Sequence, residues 1–144
     1  MNDAEFFAQV ARLLALAEQW VRPIGLGWWR IDLTYDRTGE DFADAKQQSG
    51  NFYSTSLARC YADWRYGLAT IVWNMPEVAR KTNDELEHAF VHELMHCYLH
   101  ELRGDDDSDD HPDHEEHAAT SLEKAFIWIR DRARDGEWGK VDDA

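Results

Sequence analysis

The chain has 144 residues, of which 44% are hydrophobic and 12% aromatic, and its formal net charge is −14. The length and apolar content predict one compact domain over residues 1–144 and exclude a disordered chain. The acidic balance excludes nucleic acid and anionic membranes as partners, because binding to phosphate groups requires clustered Lys and Arg.

The first half of the chain predicts a helix followed by a small sheet. From Asp3 to Val21, apolar residues recur every three or four positions, as on one face of a helix. Leu26 to Tyr35 alternates apolar with polar residues, which is typical of a half-buried strand. Phe52 to Asn74 is a second extended region, in which Gly67 indicates a turn and Leu68 to Asn74 is the most apolar strand.

The second half predicts two longer helices, separated by an acidic loop at 104–114. The first helix extends from Thr82 or Asn83 to Arg103, and the second from Asp113 to Arg134. The segment Gly104 to His117 holds eight carboxylates and no Lys or Arg. A polar tail follows at 135–144. The periodicity of the second helix predicts an apolar face of Ala118, Leu122, Ala125, Phe126 and Ile129.

This order of elements predicts the α+β class. We expect an N-terminal helix, a small and mostly antiparallel sheet of three to four strands, and two C-terminal helices. The strand Leu68 to Asn74 leads towards the first of these two helices. If it is an edge strand, an extended peptide can pair with it.

The first of the two helices contains the stretch FVHELMHCYLHE, Phe90 to Glu101, with the pattern H-E-x-x-H at His92, Glu93 and His96. At 3.6 residues per turn the two histidines project within about 40° of each other, so both imidazoles can bind one cation. A carboxylate beside them can act as a general base in hydrolysis. The competing interpretation is an amphipathic helix whose histidines are surface residues or hydrogen-bonded core residues.

This motif resembles the gluzincin branch of zinc metallopeptidases, in which a glutamate on the following helix completes the metal site. The similarity is greatest to small metallopeptidase-like proteins of phages and prophages, and it covers Asp84 to about Ile129. The stretch that corresponds to the ligand-bearing helix is Glu116-His117-Ala118-Ala119-Thr120. The resemblance implies a minimal zincin-like core with one zinc ion per chain, Glu93 as the general base, and three metal ligands, His92, His96 and Glu116.

The third ligand has alternatives. Glu115 is the main rival of Glu116, although Glu116 places Thr120 one turn later, where a hydroxyl can support the site. Five further histidines lie near the motif. His100 is about 12 Å along the helix axis from the first histidine of the motif, so one ion cannot bind both. We expect His100 and His88 to be structural or solvent-facing. The histidines close to the third ligand are His111, His114 and His117.

Two further features leave part of the chemistry open. Candidates for the donor that stabilises a tetrahedral oxyanion are Tyr66, Tyr98 and several arginines. The acidic loop could bind calcium, but it lacks the D-x-D-x-D-G pattern of an EF-hand loop. We therefore interpret this loop as a solvated connection between the helices.

The predicted function is hydrolysis of peptide bonds by a metal-activated water, as in a zinc metalloendopeptidase with a protein or peptide substrate. Two other classes remain open, a non-catalytic zinc-binding module of zincin shape and an acidic protein-interaction protein.

The chain shows no signal-peptide pattern and no apolar run of membrane-spanning length, and its only cysteines are Cys60 and Cys97. These features predict a cytoplasmic protein.

Overall fold

The structure is a computed structural model that describes residues 1–43, 57–103 and 112–136. These residues form four α-helices and a three-stranded sheet. This arrangement confirms the α+β class. Most of the acidic loop at 104–114 and most of the polar tail at 135–144 lie outside the described residues. In chain order the elements are α1 (Asp3–Trp20), β1 (Arg30–Asp36), a 3-10 turn (Glu40–Phe42), β2 (Ala58–Asp63), β3 (Leu68–Asn74), α2 (Met75–Arg80), α3 (Asn83–Arg103) and α4 (Pro112–Arg134).

The sheet is mixed, with the strand order β1-β3-β2. β1 pairs with β3 in parallel orientation, and β2 pairs with β3 in antiparallel orientation. We expected a mostly antiparallel sheet, and only the pairing of β2 with β3 is antiparallel. The prediction that Leu68 to Asn74 could be an edge strand is wrong. β3 lies in the centre of the sheet, where its backbone groups are paired on both sides and cannot accept a further peptide.

The turn between β2 and β3 depends on Gly67, as its position in the sequence predicts. Gly67 has a φ of +61°, in the left-handed region that favours glycine. A Cβ at this position would lie 2.7 Å from the indole ring of Trp28. The turn therefore requires glycine for its backbone conformation and for its contact with Trp28.

The core lies between the sheet, α1 and one side of α3. Trp73 of β3 stacks on Phe90 of α3 with ring centroids 5.5 Å apart and an interplanar angle of 8°. Both side chains are fully buried, and α1 contributes Leu13 and Trp20 to the same core. The other fully buried apolar residues of α3 that lie in this core include Val91, Leu94 and Met95. The apolar side of α3 is thus occupied, which leaves its histidine side for α4.

α4 packs on α3 in antiparallel orientation, because early residues of one helix contact late residues of the other. Arg130 forms a bidentate ion pair with Glu87 at 2.5 and 2.9 Å. His88 is hydrogen-bonded to Glu123, which is buried.

Although α3 and α4 have 21 and 23 residues, none of the described helices is sufficiently long and apolar to cross a membrane.

The face of α4 that packs on the core matches only part of the face predicted, in which Ala118 and Phe126 pack against the core. Leu122 and Ile129 are 37% and 39% exposed, whereas the buried residues of the helix are Ala119, Glu123 and Ile127. Part of the buried side of α4 is therefore polar, because Glu123 pairs with His88 of α3. The apolar periodicity did not reveal this because it contains no information about polar partners on another helix.

We predict that Phe90→Ala lowers the free energy of unfolding by about 3–5 kcal/mol, because it removes a fully buried ring and leaves a cavity beside Trp73. Urea denaturation followed by circular dichroism measures the change. Phe7→Ala is the matched control, since Phe7 is 65% exposed and its loss should change stability by less than about 1 kcal/mol. Equal effects of the two substitutions would contradict this description of the core.

Candidate metal centre

The start of α3 and its apolar side fix the orientation of the H-E-x-x-H motif. Thr82 and Glu85 form reciprocal caps, in which the Thr82 hydroxyl accepts from the Glu85 N–H and the Glu85 carboxylate accepts from the Thr82 N–H. From this start, the buried Leu94 and Met95 face the core. His92 and His96, one turn apart, therefore face α4.

His92, His96 and Glu116 lie together as one cluster, with one ligand atom from each residue within 4.8 Å of the others. The two Nε2 atoms are 3.2 Å apart. The carboxylate of Glu116 lies across this pair, with Oε2 at 3.1 Å from His92 Nε2 and Oε1 at 3.1 Å from His96 Nε2.

The separation of 3.2 Å between the two Nε2 atoms matches the ligand shell of a tetrahedral ion, and each Nε2 atom lies 3.1 Å from a different oxygen of Glu116. Ligand atoms bound at about 2.0–2.1 Å to one such ion lie about 3.3 Å from each other. Two imidazole nitrogens and a carboxylate are also the donor set of many catalytic zinc sites, which keep a fourth position open. The three residues present therefore fit a zinc ion in both chemistry and spacing.

The Nδ1 atoms of the two histidines contact α4 on their other side. His96 Nδ1 lies 2.7 Å from Glu115 Oε1, and His92 Nδ1 lies 3.5 Å from the Thr120 hydroxyl. The two candidates for the third ligand thus occupy different places. Glu116 lies at the Nε2 atoms with the cluster, whereas Glu115 lies at the opposite nitrogen of His96.

In the absence of metal, contacts within the cluster shift the pKa values of its members. Burial opposes a charge on His96, but hydrogen bonds to Glu116 and Glu115 outweigh it and raise the pKa of His96 to about 9. Hydrogen bonds to His92 and His96 hold the pKa of Glu116 well below its usual range. An ionised carboxylate that faces two imidazoles is an arrangement that attracts a cation.

Glu93 lies beside the cluster and is partly buried. Burial raises the pKa of this carboxyl group, while the nearby His96 and His92 act in the opposite direction. A carboxylate with a raised pKa is better suited to accept and return a proton near neutral pH than an exposed one.

The two cysteines lie close to Glu93 but outside the ligand cluster. A hydrogen bond to Cys97 and burial raise the pKa of the Cys60 thiol far above its usual value, with smaller contributions from Glu93 and Glu115. A thiol with such a raised pKa stays protonated near neutral pH. Cys60 is therefore poorly suited to nucleophilic attack, because attack requires the thiolate.

The other histidines of the described residues do not join the cluster. His88 is bound to Glu123, and the side chains of His114 and His117 are exposed. His100 is partly buried, and its Nδ1 atom has no hydrogen-bond partner among the residues that the structure describes. His111 lies outside the described residues.

Of the two tyrosines predicted as oxyanion donors, Tyr98 is engaged elsewhere. Its hydroxyl donates a hydrogen bond to the carbonyl of Ile24, on the side of α3 away from the two histidines. Tyr66 is 74% exposed in the turn between β2 and β3.

Sequence analysis did not predict the pairing of His88 with Glu123 or of His96 with Glu115. A signal existed for the first pair only, since polar residues recur on α4 at Glu116, Thr120 and Glu123 with helical spacing.

Comparison of the chain with known proteins identifies no relative. No protein-family model matches it, and neither the curated proteins nor the solved structures contain a significant match. Inferences about function therefore rest on the residues of the site.

We predict that the metal-free protein loses stability as the pH rises from about 6.5 to 9. The folded-state pKa of His96, about 9, lies above its ordinary value of 6.5, so its contribution is fully present below pH 6.5 and is lost as the pH rises through 9. The shift corresponds to about 3 kcal/mol of unfolding free energy. Urea denaturation in the presence of a chelator measures this decline.

The decline should be absent in His96→Asn and retained in His114→Asn, which alters an exposed histidine of α4. A pH profile of the unaltered protein that is flat over this range would disprove the predicted linkage.

Proposed function

We propose that this chain is a zinc-dependent metallopeptidase with a protein or peptide substrate. The observation that carries the proposal is the cluster of His92, His96 and Glu116, with the partly buried carboxyl group of Glu93 beside it. We further propose that the protein acts in the cytoplasm, because its two cysteines are free thiols, as expected in a reducing compartment.

In this proposal the three clustered residues hold the metal and Glu93 moves protons. The Nε2 atoms of His92 and His96 and the carboxylate of Glu116 bind the ion. A zinc ion at this position would lower the pKa of a coordinated water to about 7 and polarise the scissile carbonyl group. The carboxylate of Glu93 accepts a proton from the attacking water and transfers it to the leaving amine.

The peptide character of the substrate is supported by the position of β2. Within the described residues, β2 pairs only with β3, so its other side is an edge of the sheet. β2 packs against α3, and its Cys60 is close enough to Glu93 to be influenced by the charge of that residue. An extended peptide that adds to this edge would lie near the general base and would be recognised through its backbone.

We predict that the purified protein contains one zinc ion per chain and that His92→Ala, His96→Ala and Glu116→Ala each lose it. Each substitution removes one of three protein ligands and leaves two, which bind zinc weakly. Elemental mass spectrometry after gentle dialysis measures the metal content. His117→Ala, which alters an exposed histidine next to Glu116, is the control and should retain zinc. Absence of zinc from the unaltered protein, even after zinc is supplied, would refute the metal site.

We predict that Glu93→Gln retains zinc but lowers the rate of peptide hydrolysis by at least about 100-fold, the contribution typical of a general base. The assay uses a library of internally quenched peptides with the zinc-loaded protein. Asp84→Asn, which removes an exposed carboxylate from the first turn of α3, should leave the rate unchanged. Undiminished turnover in Glu93→Gln would exclude Glu93 as the base.

A further inference from the structure

We propose that Glu115 is a positioning residue that holds the imidazole of His96 in the orientation required for metal binding. The proposal rests on the zinc site proposed above and assigns a role to a residue outside its ligand set. The observation behind it is the contact of 2.7 Å between Glu115 Oε1 and His96 Nδ1.

This contact determines which nitrogen of His96 faces the ion. A carboxylate oxygen of Glu115 accepts this hydrogen bond, so the proton lies on Nδ1 of His96. The lone pair available for a metal is then on Nε2, which is the atom that faces His92 and Glu116. Glu115 thereby fixes the ring orientation and increases the electron density at the ligating nitrogen.

Burial makes this hydrogen bond stronger than a contact at the surface. The side chains of Glu115 and His96 are 15% and 14% exposed, whereas the side chain of Glu116 is 61% exposed. A charge-assisted hydrogen bond gains strength where water is largely excluded. The orienting carboxylate is thus on the buried side of the ring, and the ligating carboxylate is on the open side.

The two histidines are held unequally. The hydroxyl of Thr120 is 3.5 Å from His92 Nδ1, at the outer limit of a hydrogen bond, and it carries no charge. Loss of Glu115 should therefore affect metal binding more than loss of the Thr120 hydroxyl.

Glu115 cannot act as a ligand in this arrangement, because the two nitrogens of an imidazole point away from each other. A carboxylate hydrogen-bonded to Nδ1 is directed away from an ion at Nε2. The consecutive residues Glu115 and Glu116 therefore contact opposite sides of one imidazole, His96, and have different roles.

A competition titration of Zn²⁺ against a chromophoric chelator tests the proposal on the 144-residue chain. Glu115→Ala should weaken zinc binding by about 10–100-fold, the usual effect of removing such a partner. Glu115→Gln keeps an acceptor without the charge and should give a smaller loss; it also provides a measurement if the alanine variant does not fold. Thr120→Val, which keeps the shape of the side chain, is the matched control and should lose less affinity than Glu115→Ala.

Proton NMR of the Co²⁺-substituted protein provides a readout that a purely structural role would not alter. The unaltered protein should show two shifted, exchangeable N–H signals, one from the Nδ1–H of each ligating histidine. One signal, that of His96, should exchange slowly with solvent. In Glu115→Ala this signal should exchange rapidly or disappear while the other is retained.

The outcomes separate this proposal from the proposed function. Zinc binding by the unaltered protein with unchanged affinity in Glu115→Ala would overturn the positioning role alone. Complete loss of zinc in Glu115→Ala, with binding retained in Glu116→Ala, would make Glu115 a ligand and also overturn it. Absence of zinc binding by the unaltered protein would overturn the metal site and, with it, this inference.

Discussion

The antiparallel pairing of α3 with α4 is the constraint on which the site depends. α3 uses its apolar side for the core, against Trp73 and the neighbouring apolar residues, so only its polar side remains for α4. α4 meets that side with carboxylates and a guanidinium group, at Glu115, Glu123 and Arg130. Glu87, His88 and His96 of α3 thereby each gain a partner, which offsets the cost of burying a polar group.

Polar contacts of this kind are a poor source of stability, because desolvation of the charges offsets most of their attraction. The stability of this fold is more readily explained by the apolar core around Trp73, Phe90 and Leu94, which are fully buried. The histidine side of α3 contributes specificity instead, since it determines how α4 is rotated. The pair of Glu87 and Arg130 also connects α1 to these two helices. The Glu87 carboxylate accepts hydrogen bonds from both Arg130 and the indole N–H of Trp20 in α1.

The rotation of α4 has a direct chemical consequence at two consecutive residues. Glu115 and Glu116 project about 100° apart on the helix, so His96, which lies against this turn, contacts both. One carboxylate reaches Nδ1 at 2.7 Å and the other reaches Nε2 at 3.1 Å. A small rotation of the helix about its axis would remove one of these contacts. The geometry of the cluster therefore depends on the distant pairs His88–Glu123 and Glu87–Arg130, which hold the helix in place.

The sequence by itself determined the features that depend on residues close together in the chain. The spacing of four between His92 and His96 places both on one side of a helix, and the apolar run and the turn signal located β3 and Gly67 correctly. Tertiary structure decided the features that depend on distant residues. It placed β3 in the centre of the sheet, turned Ala119 and Ile127 of α4 towards the core, and put Glu116 rather than Glu115 at the Nε2 atoms. These outcomes depend on strand order and on the rotation of one helix against another. Both are determined by the free energy of contacts between residues that are far apart in the chain.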